Sequence, residues 1–140
     1  MKILFIDEEV EIEVLARVIQ TRHPNDIILL VDDLMTAREK LWSTKFDVAV
    51  VDIMMPSDDK AVPGSSDESG LISGLLLMDM VQADKGCVNK ETPFVILTGL
   101  SPKEHPKVRE AEQKFGKNFI IKPDHPDILY EAISNAAKKQ

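Results

Sequence analysis

The chain is 140 residues long and 44% hydrophobic, with 24 acidic and 17 basic residues for a formal charge of −7. That length fits one domain able to bury about two-thirds of its unfolded surface. The acidic balance excludes a general phosphate-backbone binder, which needs a basic patch, and no apolar run approaches the roughly 20 residues that span a bilayer. Met1-Lys2 leads directly into a β-branched run, unlike a secretory signal. Cys87 is the lone cysteine, so no internal disulfide can form, and a reducing, cytoplasmic setting is expected.

In chain order, Ile3-Leu4-Phe5-Ile6 predicts a first strand, and Val10, Val14, Leu15, Val18 and Ile19 follow at helical spacing. His23-Pro24-Asn25-Asp26 breaks that helix. Ile27 to Val31 predicts the second strand, Asp32-Asp33 a cap, and Leu34, Ala37, Leu41 and Trp42 the second helix. A third strand is expected from about Phe46 to Asp52, and a third helix from near Gly74. Between them, residues 57–73 are rich in Ser, Asp, Gly and Pro without periodicity. They predict a long acidic loop within the single domain spanning 1–140. It lacks the ligand spacing of a calcium loop and reads as solvated and disordered. A fourth strand follows Pro93, then a weakly apolar helix over 102–115 with Val108, Ala111 and Phe115 on one face. A fifth strand ends at Lys122, and Ile128, Leu129, Ala132, Ile133 and Ala136 mark a final helix. Five strands alternating with five helices predict an α/β, doubly wound parallel sheet.

Four of these strands end on chemically loaded residues: Asp7-Glu8, Asp52, Thr98 and Lys122-Pro123. In an open α/β sheet, ligands bind just beyond the carboxyl ends of the strands, so these side chains should converge. Asp7, Glu8 and Asp52 would repel one another unless a hard divalent cation such as Mg²⁺ neutralised them. A carboxylate nucleophile beside an ammonium, a hydroxyl and a metal is suited to phosphoryl transfer. Asp52 ends the most apolar strand and is the best nucleophile, and Gly99 leaves space beside Thr98. His23, His105 and His125 share no metal-like spacing and read as solvated. Taken singly, each motif has an ordinary structural explanation: a cap for Asp52, an acidic helical turn for Asp7-Glu8-Glu9, loops for Thr98-Gly99 and Lys122-Pro123, core packing for Phe119.

As an ordered set, however, the chain resembles the receiver domain of two-component response regulators. The matching stretches are Ile3-Leu4-Phe5-Ile6-Asp7-Glu8-Glu9, Val50-Val51-Asp52-Ile53-Met54-Met55-Pro56, Val95-Ile96-Leu97-Thr98-Gly99 and Ile121-Lys122-Pro123. The resemblance implies a flavodoxin-like (βα)5 fold with strand order 2-1-3-4-5. It implies that Asp52 is phosphorylated by a histidine kinase or histidine phosphotransfer protein, and that Asp7, Glu8, Asp52 and the Met54 carbonyl bind Mg²⁺. Thr98 and Lys122 would contact the phosphoryl group, Thr98 and Phe119 would form the switch, and Pro123 would follow a cis peptide bond. The output surface would span roughly residues 100–137 and be read by a downstream protein in trans. The implied protein is a monomer or weak homodimer rather than an enzyme, with no nucleic-acid or membrane partner. A start at Met1 and a polar end at Lys138-Lys139-Gln140 fit a complete single-domain protein.

Three departures stand out. Glu8 occupies a position where Asp is commoner, the loop after Pro56 is about a dozen residues longer than usual and could form a lid or partner surface, and Met54 and Leu100 flank the site with apolar side chains. That pair cannot orient a hydrolytic water, so slow self-dephosphorylation is expected. Two other readings stay open: a receiver-like interaction module that is not phosphorylated, and an aspartate-nucleophile phosphohydrolase of the haloacid-dehalogenase type. The latter needs Asp-x-Asp, and neither Asp7-Glu8-Glu9 nor Asp52-Ile53-Met54 supplies the second Asp.

Overall fold

Side chains on a strand alternate between faces, and here both faces are apolar. The computed structural model shows the consequence: Ile3 and Phe5 of the first strand enter one core with Val48, Val50, Val95 and Leu97, while Leu4 and Ile6 enter another with Ala49, Val51 and Ile96. The structure describes residues 1–122 and 125–138, and of Glu68 and Ser69 the backbone alone. Pro123, Lys139 and Gln140 therefore lie outside the described residues.

The strands are β1 (Lys2–Ile6), β2 (Ile27–Val31), β3 (Val48–Val51), β4 (Phe94–Thr98) and β5 (Phe119–Ile121). All pair in parallel, in the order β2-β1-β3-β4-β5. The helices are α1 (Glu11–Arg22), α2 (Leu34–Ser43), α3 (Ser73–Ala83), α4 (Pro106–Phe115) and α5 (Pro126–Lys138). Helices α1 and α5 cover the Ile3/Phe5 face; α2, α3 and α4 cover the other. The fold is the expected doubly wound one, with β3 at its centre. No described helix is long and apolar enough to cross a membrane.

β3 and β5 each end one residue earlier than expected, and two other boundaries differ by more, each for a local reason. β3 begins at Val48 rather than Phe46. The Phe46 N–H donates to Asn89 Oδ1 at 2.9 Å and its carbonyl accepts from Thr92 Oγ1 at 3.1 Å, so its backbone is engaged by side chains of the loop before β4. α4 begins at Pro106 rather than near 102. His105 is extended (φ −155°) and its Nδ1 accepts from Lys107 N at 3.0 Å, and Pro106 supplies a preset φ at the first helical position. Asp33 caps α2 as expected, accepting from Thr36 N at 2.7 Å. His23 is not solvated: it is half-buried, with its ring stacked on Tyr130 at 3.5 Å between centroids.

The stretch between β3 and α3 is anchored in the core, with Ser57, Asp59, Lys60 and Pro63 among its exposed residues. Ala61 and Val62 are fully buried in the α2–α3 core, and Ile72 joins them. Arg38 of α2 donates to the Ala61 carbonyl at 2.7 Å. The buried Ser65 hydroxyl accepts from Asp58 N at 2.8 Å and donates to Asp59, and Ser66 also bonds Asp59. Residues 67–70 form a 3₁₀ turn closed at Gly70, whose φ of +74° suits glycine. Buried Ala and Val in an otherwise polar segment supply the apolar anchorage that its composition conceals.

The segment leaves and rejoins the sheet beside Asp52. Gly74 N donates to Ile53 O at 2.6 Å, and a Cβ at Gly74 would overlap Asp52 O and lie 2.9 Å from Ile53 Cα. In an open helix, Gly→Ala gains about 1 kcal/mol. Here overpacking against backbone, roughly 1–3 kcal/mol, opposes and exceeds it. Gly74→Ala is therefore expected to destabilise the protein by up to about 2 kcal/mol in urea denaturation; a gain in stability would show that this contact relaxes freely.

Candidate functional site

The parallel ladder continues one residue beyond several strands and thereby aims the side chains. Asp7 N donates to Val31 O at 3.0 Å, Asp52 N to Ile6 O at 2.9 Å, and Lys122 N to Thr98 O at 2.8 Å. Asp7 and Asp52 thus sit on adjacent strand ends where the strand order reverses, the usual ligand crevice of such sheets.

Four residues predicted from sequence meet there. Thr98, fully buried, donates its hydroxyl to Asp52 Oδ1 at 2.9 Å. Lys122 Nζ lies 3.2 Å from Asp52 Oδ2 and 2.6 Å from Asp7 Oδ2. Both carboxylates are nearly inaccessible, at 3% for Asp7 and 4% for Asp52. Met54 N donates to Asp52 Oδ1 at 3.1 Å, so the Met54 backbone borders the site while its side chain is exposed. Leu100 is buried, and its N–H donates to Thr98 Oγ1 at 3.2 Å. Phe119 is half-buried against the α2–α4 side of the sheet. Gly99 is exposed, and a Cβ there would meet nothing within 4 Å, so the space beside Thr98 does not depend on glycine.

Glu8 is not brought in. It is exposed, and the carboxylates that gather are Asp7, Glu9 and Asp52, with oxygens within 4.8 Å of one another. The cause is a tight turn: Glu9 N donates to Asp7 Oδ1 at 2.9 Å, which bends the chain over Asp7 and returns the Glu9 carboxylate to 3.4 Å from Lys122 Nζ. The acidic triplet 7–9 offered two neighbouring glutamates, and periodicity carries no signal that distinguishes them. The segment between β3 and α3 anchors against α2 and α3 through Ala61, Val62 and Ile72.

The electrostatics follow from burial. Burial pushes the Asp7 carboxyl above its ordinary value of 3.8, and the nearby Asp52 adds to this, against the lowering effects of the Lys122 and Glu9 N–H hydrogen bonds. For Lys122, burial pulls the ammonium down, but the Asp7 hydrogen bond and the Asp52 charge outweigh it and the net shift is upward. Three carboxylates against one ammonium leave a formal excess of two negative charges. Clustered oxygen donors with that excess fit a hard divalent cation such as Mg²⁺. Beside the site, a cleft of about 350 Å³ is lined by Glu9, Ile12, Leu15, Leu97, Lys122 and Leu129.

No family model and no curated protein sequence matches the chain. Solved structures do. The chemotaxis response regulator CheY4 of Vibrio cholerae superposes with a TM-score of 0.68 at 19% identity, over 96% of this chain and 97% of that one. A response regulator receiver domain protein of Methanospirillum hungatei gives 0.71 at 15% identity, over 99% and 94%. The fold is that of a response-regulator receiver domain. The receiver domain of Francisella response regulator 1452 gives 0.67 at 23% identity over 99% and 97%, so the receiver fold accounts for nearly the whole chain.

Because the folded-state Asp7 value is raised, its charge costs stability at neutral pH, and that cost disappears as pH falls below its unfolded value near 3.8. Asp7→Asn should therefore raise the metal-free Tm at pH 7 by a few degrees. The gain should shrink at acidic pH. A Tm lowered by the same amount would mean that the Lys122 ion pair outweighs burial.

Proposed function

We propose that the chain is a phospho-accepting receiver that takes a phosphoryl group on Asp52 from a phosphohistidine of a histidine kinase or phosphotransfer protein. The observation that carries this reading is the Asp52 carboxylate itself, buried at a strand end with a hydroxyl on one oxygen and an ammonium on the other. One Asp52 oxygen attacks phosphorus as the P–N bond to imidazole breaks, and that bond's electron pair returns to the ring nitrogen. Lys122 and Thr98 are within reach of oxygens on a phosphoryl group so attached, and charge stabilisation of this kind is the main catalytic requirement of phosphoryl transfer. Asp7, Glu9 and Asp52, with the Met54 carbonyl, would hold Mg²⁺, with Glu9 rather than Glu8 as the third carboxylate. The bound ion supplies neutralisation of the carboxylates and of the phosphoryl oxygens.

In this reading Thr98 exchanges its Asp52 partner for a phosphoryl oxygen, and Phe119 responds from its half-buried position. The new charge biases a two-state surface within residues 100–137 toward a downstream protein met in trans. The module acts in the cytoplasm as a monomer or weak homodimer and is not a turnover enzyme.

Acetyl phosphate with Mg²⁺ should add one phosphoryl mass that Asp52→Asn abolishes, read by intact-protein mass spectrometry. Absence of an adduct would favour an interaction module that is not phosphorylated, and steady release of phosphate from many monoesters would favour a hydrolase. The apolar pair Met54 and Leu100 gives a second expectation: Met54→Asn, which offers water a hydrogen-bonding partner, should shorten the phosphorylated half-life several-fold. An unchanged or longer half-life would remove the apolar pair as its determinant.

A further inference from the structure

A serine at the start of a helix ordinarily caps it. Ser73 does not: the residue in the cap position of α3 is Ile72, with no side-chain capping bond. The Ser73 hydroxyl instead turns back across the neck of the inserted segment. It accepts from Met55 N at 2.9 Å and donates to Met55 O at 2.6 Å, with Ile53 O also 3.4 Å away. Ser73 is fully buried, so these bonds are shielded from water. With Gly74 N donating to Ile53 O, the two residues on either side of Met54 are both tied to the first turn of α3.

The planarity of the peptide bond gives this clamp a consequence at the site. The Met55 N–H and the Met54 carbonyl belong to one peptide unit, and in a trans peptide they point in opposite directions. Fixing the N–H on Ser73 therefore fixes the carbonyl on the side facing away from Ser73. The other end of Met54 is already held against the acidic cluster, by its own N–H on Asp52 Oδ1. We propose that Ser73 is a positioning residue for the divalent cation, acting through the Met55 N–H to hold the Met54 carbonyl as a preset oxygen ligand beside Asp52. This rests on the metal-binding part of the reading above and extends it to a residue separated from Met55 by 18 positions. It also gives the insertion a structural link to the site, since both of its ends are joined by this clamp.

The test compares Mg²⁺ affinity, by calorimetric titration of the whole chain, with Tm in the same buffer. Removing a hydrogen-bonding partner of a metal ligand ordinarily weakens metal affinity about 10–100-fold, so Ser73→Ala should bind Mg²⁺ at least roughly tenfold more weakly. Ser65→Ala is the control: it removes another buried hydroxyl of the same segment that bonds Asp58 and Asp59 but not residues 53–55. It should lower Tm while leaving Mg²⁺ affinity within twofold. Should Ser73→Ala fail to fold, Ser73→Cys puts a larger but only weakly hydrogen-bonding thiol in the same place, and the same loss of affinity is expected from it. If the wild type binds Mg²⁺ and the folded Ser73 variant binds it equally well, the positioning role is overturned and the metal site stands. If the wild type binds no Mg²⁺, the metal-site reading falls and the proposal with it.

Discussion

One ammonium held among three carboxylates organises the carboxyl edge of this sheet. Lys122 touches Asp7, Glu9 and Asp52, drawing β1, β3 and the end of β5 to a common point. Burial alone would make such a concentration of charge unfavourable, because each ion loses its water. The lysine offsets part of that cost and leaves an excess of negative charge that a divalent cation can complete. The upward shifts at both Asp7 and Lys122 express the same balance: the buried acid resists ionisation, while the buried base is held protonated by its partners.

Everything behind that edge serves to hold it still. Strands apolar on both faces place one hydrophobic layer under α1 and α5 and another under α2, α3 and α4, so β1, β3 and β4 are immobilised from both sides. Ladder bonds running one residue past the strands then aim Asp7, Asp52 and Lys122 without relying on loop conformation. The close approach of Gly74 to Asp52 O adds a steric constraint from the helix side. Rigid placement of this kind is what lets a carboxylate, a hydroxyl and an ammonium act together on one bound group.

The segment between β3 and α3 combines a polar composition with buried anchors. Its polar composition suggests solvated chain, yet Ala61, Val62 and Ile72 reach the core and Arg38 ties it to α2. These three apolar anchors suffice because the segment lies along an existing core and does not build its own. The segment is thereby part of the structure that frames the site, closed at its neck by Ser73 and Gly74.

The alternation of strands and helices, and hence the doubly wound sheet, is legible in the chain because its signals are local and periodic. Continuous apolar runs mark buried parallel strands, helical spacing marks the covering helices, and the end of each run marks the crevice. Asp7, Asp52, Thr98 and Lys122 were legible for that reason, each lying one step past a strand or at its last residue. Phe46 and the start of α4 depart from expectation because Asn89 and Thr92 engage the Phe46 backbone and His105 caps the Lys107 N–H, hydrogen bonds that propensity does not record. Only the tertiary structure decided that Glu9 rather than Glu8 joins the carboxylates, since a turn over Asp7 selects between two adjacent, chemically identical side chains. The folded chain alone shows that Ser73 bonds the turn after β3 and that Val62 is core, because both depend on contacts between residues far apart in the chain.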